Sequence, residues 1–66
     1  MDKNKIRSEI RRILKRDKFV RIRLDNIDCV FTDGYSLTRY NPSAIWLMWR
    51  GDKIVLVNYN HIISID

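Results

Sequence analysis

The spacing of apolar residues along this chain changes at about Phe19. Before it, in "NKIRSEIRRILKR" (4–16), Ile6, Ile10, Ile13 and Leu14 recur at i, i+4, i+7 and i+8. That is one stripe at the helical repeat, and cations fill most of the remaining surface. The pattern predicts one amphipathic helix over 4–16 with Asn4 as its cap. At roughly three turns, such a helix needs a surface to lie on.

After Phe19 the repeat is two. "FVRIRL" alternates Val20, Ile22 and Leu24 with Arg21 and Arg23, which predicts a half-buried strand over about 19–25. "DNID" (25–28) reads as a turn, and a second strand over about 29–40 carries Gly34, where a bend or bulge is expected. Asn41-Pro42-Ser43 is the next turn, because Pro42 disfavours helix at Asn41. Strands over about 44–50 and 53–60 flank Arg50-Gly51-Asp52-Lys53, a hairpin turn, and a last strand runs over 61–65.

Short strands, tight turns and an internal glycine predict a mainly β domain over 1–66: an N-terminal α-helix followed by a five-stranded, strongly bent antiparallel sheet, a small barrel. "AIWLMW" is apolar on both faces. With Ile54 and Leu56, Trp46 and Met48 form an outer surface that calls for cover by the helix or by another subunit.

Size makes that cover matter. A chain of 66 residues buries only about 60% of its unfolded surface, and domains this small commonly add disulfides, a metal or a partner subunit. Cys29 is the only cysteine, so no internal bridge can form, and no His/Cys cluster has zinc spacing. Oligomerisation is the expected supplement. The charged N-terminus lacks an apolar signal core, and no run is long enough to span a bilayer, so a cytoplasmic protein is expected.

Charge is distributed unevenly. Residues 1–23 hold ten Lys/Arg against three acids, a net of +7, and the remainder holds three against five, a net of −2. Cations concentrated this way favour polyanions, nucleic acid first and anionic membrane second. The candidates are Arg11, Arg12, Lys15 and Arg16; the plainer reading of them is a solvated face that keeps a small protein soluble. Tyr40, beside Arg39 and the Pro42 turn, is the best candidate for an exposed aromatic contact, while Trp46 and Trp49 read as core or subunit-interface residues. No paired carboxylates stand with a nucleophile, and there is no glycine-rich phosphate loop and no metal motif. An enzyme, a cofactor and a metal site are therefore not expected.

The chain ends on "VNYNHIISI" (57–65), with its single histidine in a polar step between two apolar runs. A basic amphipathic helix, a five-stranded bent sheet and a closing Tyr-x-His-x-Ile-Ser together resemble the Hfq branch of the Sm/Lsm family of RNA-binding rings. "VRIRLDN" is similar to the family's first strand and its Asn-bearing turn, Gly34 falls where the second strand bends, and Asn41-Pro42-Ser43-Ala44 is similar to the turn before the third strand. The resemblance implies a cytoplasmic homo-oligomeric ring, commonly a hexamer, built by pairing the fourth strand of one subunit with the fifth of the next.

It also implies an RNA chaperone or post-transcriptional regulator that binds single-stranded small regulatory or messenger RNA. In that comparison Tyr59 and His61 match pore residues, with Asn58 and Asn60 beside them, and Arg11, Arg12, Lys15 and Arg16 match a basic outer rim. Asn60 stands where the family has lysine, Ser43 and Ala44 stand nearest its stacking aromatic, which makes Ser43 with Tyr40 a possible base contact, and Arg23 replaces its adenine-stacking tyrosine. These departures leave two alternatives: an Sm-fold protein-interaction module with little RNA binding, and a small-barrel DNA-binding protein.

Overall fold

The computed structural model describes residues 2–33 and 41–66. Helix α1 (Lys3–Asp17) precedes strands β1 (Val20–Leu24), β2 (Ile27–Thr32), β3 (Ala44–Trp49) and β4 (Lys53–Asn58); a 3-10 turn (Tyr59–His61) then leads into β5 (Ile62–Ile65). The strands form one antiparallel sheet in the order β4-β3-β2-β1-β5. Within one chain, β4 and β5 are therefore the edges.

The apolar stripe of α1 is what holds the helix to the sheet. Ile6, Ile10, Ile13 and Leu14 are all buried in one cluster with Val20, Ile22, Phe31, Ile45, Leu47 and Val57. The most completely enclosed side chains, Phe31, Ile10, Ile22, Leu47 and Val20, come from four different elements. Burying each of these stabilises by roughly 1.5–3 kcal/mol, and no two neighbouring elements could bury them alone. The alternation expected in β1 is present, with Val20 and Ile22 buried and Arg21 and Arg23 exposed.

Several boundaries differ from the sequence reading, each for a local reason. The helix starts at Lys3, so its cap is Asp2 and not Asn4. Asp2 has extended backbone, and its carboxylate accepts from Asn4 N–H at 3.1 Å; Asn4 is the capped donor. The C-terminal end closes at Lys18, whose φ of 70° lets its N–H donate to Leu14 C=O at 2.9 Å. That is a left-handed cap made without glycine.

The turn expected over 25–28 is narrower. Leu24 pairs with Ile27, leaving Asp25 and Asn26 as the connection, with Asp25 at φ 51°. Aspartate tolerates that conformation, so Ile27 and Asp28 are free to join β2. The second strand is Ile27–Thr32, and Asp33 after it is not strand; the rest of the expected span, 34–40, with Gly34, Tyr35 and Tyr40, lies outside the described residues. β3 ends at Trp49 because Arg50 and Gly51 both take positive φ, 57° and 78°, and Asp52 N–H donates back to Trp49 C=O at 3.3 Å. At the other end of the hairpin β4 stops at Asn58, and residues 59–61 are a turn, not strand.

The helix does not cover the apolar outer surface. It lies on the face that carries Leu47 and Val57, whereas Trp46, Met48, Ile54 and Leu56 alternate away from it.

Candidate nucleic-acid interface

The cations of α1 separate into two sets. Arg12 is paired with Glu9 one turn back, and Arg16 with the adjacent Asp17 at 2.8 Å. The guanidinium of Arg12 holds the Glu9 carboxyl below its ordinary range, and that of Arg16 does the same to Asp17, in each case through a hydrogen bond. Both pairs lie on the exposed surface, so they restrain side chains more than they stabilise the fold.

Arg11 and Lys15 face elsewhere. With Leu14 and Lys18 they occupy i, i+3, i+4 and i+7, one strip of the helix surface. Beside that strip is a cleft of about 420 Å³, lined by Arg11, Leu14, Lys15 and Lys18 from the helix end, Asp33 from the end of β2, and Ile45 and Leu47 from β3. Its floor is apolar and three of its four charged groups are cations. A phosphate with an attached planar base suits such a surface, through charge-assisted hydrogen bonds at the rim and contact with the aliphatic floor. Lys15 and Lys18 make no ion pair among the described residues. Lys18 was not among the sequence candidates. The signal for it was the same i to i+7 strip, in which it stands one turn beyond Leu14.

The polar step at the end of β4 is built differently. Asn58 caps the 3-10 turn: its side chain accepts from Asn60 N–H at 2.8 Å. Tyr59 turns inward and is buried in the core cluster, while Asn60 and His61 are exposed. Tyr59 N–H donates to Ser43 C=O at 3.1 Å, and Asn41 accepts from Ser43 N–H at 2.8 Å. The two turns are thus tied together. Ser43, Asn60 and His61 end up in one region, with two of the four step residues occupied in holding it.

Comparison with known proteins identifies no family model, no curated protein and no solved structure that matches this chain. The functional reading therefore rests on the residues themselves. Tyr40, the sequence candidate for an exposed aromatic contact, lies outside the described residues. Among the described residues, no helix is long and apolar enough to cross a membrane.

Proposed function

We propose that this chain is an RNA-binding protein of Sm-like, Hfq-type architecture, acting as a homo-oligomeric ring in which a hexamer is favoured. In this reading it serves as an RNA chaperone or post-transcriptional regulator. The observation that carries the reading is the cationic cleft at the end of α1, where Arg11, Lys15 and Lys18 surround the apolar floor of Leu14, Ile45 and Leu47. Single-stranded RNA would lay its backbone on those cations, with Arg12 and Arg16 extending the charged rim. Exposed Asn60 and His61 supply a second, weaker contact with hydrogen-bonding but little charge.

The sheet supports the ring. Its order leaves β4 and β5 as the two edges, and exposed edges of this kind are templates for pairing with another chain. Antiparallel pairing of β4 with a neighbour's β5 would occupy both and repeat around a closed circle.

Two measurements test the proposal. Light scattering on the eluted protein at micromolar concentration should give a closed oligomer; a strict monomer overturns the ring. Titration with U-rich, A-rich and structured RNAs at two salt concentrations should give binding that weakens steeply with salt. Equal salt-insensitive signals, or a preference for duplex DNA, would overturn RNA as the ligand.

A further inference from the structure

The cleft at the end of α1 contains one group of the wrong sign for a polyanion. Asp33 lines it together with Lys15 and Lys18. The last pairs of β2 with β3 are Phe31 with Trp49 and Thr32 with Met48, so Asp33 comes one step further along, beside Leu47. Phe31 is buried with the apolar stripe of α1, and Asp33, two residues on, comes to the same face of the sheet, where it is exposed. The cleft thus has cations on its helix side and a carboxylate on its sheet side.

These groups differ in what already occupies them. Lys15 and Lys18 make no ion pair among the described residues, whereas Arg11 and Asp33 each take part in an interaction within the chain. A carboxylate has about four lone-pair sites, so Asp33 keeps capacity to accept from a ligand as well. Like charges brought together at an interface oppose binding, and a carboxylate in an RNA site is offset only where the ligand offers it a donor. Phosphates offer none. Base edges offer N–H groups that change with sequence, and the ribose 2′-hydroxyl offers a donor at every nucleotide.

Resting on the RNA reading above, we infer that Asp33 accepts a hydrogen bond from the ribose 2′-hydroxyl of the nucleotide whose phosphate lies on Lys15 and Lys18, which makes the cleft selective for RNA over single-stranded DNA. The sugar is favoured over a base edge because of the floor. Leu14, Ile45 and Leu47 have no side-chain polar group with which to orient a base in its plane, whereas phosphate and sugar are neighbours in the backbone, so placing one restricts the other. Asp33 then acts in two opposite senses. It repels every nucleic-acid backbone, and it attracts only one that carries the hydroxyl.

The test titrates the full chain with short oligouridine, oligodeoxyuridine and 2′-fluoro-oligouridine of the same length. The fluoro strand keeps an RNA-like sugar pucker but has no donor at that position. The native chain should bind the RNA about tenfold more tightly than either of the others, as expected for a hydrogen bond to a charged group. Asp33→Ala should bring the three affinities together, weakening RNA while DNA binding stays level or rises. Asp33→Asn keeps an acceptor oxygen and the local shape without the charge, and should retain part of the preference; unchanged circular dichroism verifies the fold of both variants. A fluoro strand bound as tightly as RNA would overturn the inference, since sugar shape would then be what is read. So would a native chain that binds RNA and DNA alike, or an Asp33→Ala variant in which all three affinities move equally, which leaves the carboxylate a charge or a structural contact only. Those outcomes leave RNA binding itself intact. No binding of any of the three strands or of structured RNA would overturn the RNA reading, and this inference with it.

Discussion

The strip Arg11-Leu14-Lys15-Lys18 and the step Asn58-Tyr59-Asn60-His61 are both short polar segments beside apolar ones, yet they use their polar groups in opposite ways. On the helix, most backbone donors and acceptors are satisfied within the element, so the side chains of the strip are not needed to hold the backbone. At the step, the chain leaves β4 and must satisfy its own backbone. Asn58 does so at Asn60 N–H, and Tyr59 at Ser43 C=O and in the core. A polar residue in a turn is often part of the turn, whereas a cation on a helix surface, such as Lys15, holds none of the backbone in place.

The comparison can be broken most sharply at Tyr59. Tyr59→Ala removes a buried ring tied to the core and is expected to destabilise by about 3–5 kcal/mol, enough to unfold much of a marginal domain. Thermal denaturation by circular dichroism should show a lost or greatly lowered transition. RNA binding should disappear with the fold.

The reverse pattern is expected at the helix strip. Arg11→Ala with Lys15→Ala and Lys18→Gly should leave the melting temperature close to the original, since glycine suits the positive φ of residue 18. RNA affinity should fall, and the slope of log K against log salt should become shallower by about 2, three cations at roughly 0.7 each for single strands. An unchanged slope would remove the cleft from the RNA interface.

A smaller effect is expected at Asn58→Ala, which deletes the cap of the 3-10 turn at a cost of about 1 kcal/mol. The melting temperature should drop by about 4–8 °C, with the helix-strip salt slope unaffected. Asn60→Lys, one residue on, should leave stability unchanged and strengthen binding to U-rich RNA.

The smallest effect concerns the paired cations. Glu9 and Asp17 have lowered folded-state pKa values, so the slight stability they add is present above their ordinary carboxylate range and is lost as pH falls through the lowered values. Neutralising them also frees Arg12 and Arg16. Glu9→Gln with Asp17→Asn should therefore tighten RNA binding modestly at pH 7, and the gap from the native chain should narrow on acidification. A gap that is constant with pH would mean that the pairs do not compete with RNA.

How much of this was legible beforehand depended on whether a feature was local. Ile6, Ile10, Ile13 and Leu14 announced both the helix and its buried side, and Val20, Ile22 and the intervening arginines announced a strand. The charge split located the cationic surface on α1. Boundaries were less legible because backbone geometry decided them: Asp2 capped where Asn4 was expected, Asp25 accepted a positive φ that shortened the turn, and the Asn58 cap ended β4 before Tyr59. Periodicity carries no signal for any of these.

By itself, then, the amino-acid order determined one amphipathic helix, a series of short strands, and the segregation of positive charge toward the N-terminal third, because each depends on neighbours within a few residues. Only the tertiary structure decided which cations share a cleft, since Lys18 reaches it through the left-handed end of α1 and its floor comes from β3. Tertiary structure also decided that the helix covers the Leu47 and Val57 face and leaves Trp46, Met48, Ile54 and Leu56 outside. A strand that is apolar on both sides has no preferred inner face. Its orientation is set by the core residues that one face meets, Ile10 and Ile13 of α1 and Val20 and Ile22 of β1 among them, and those lie far from β3 in the chain.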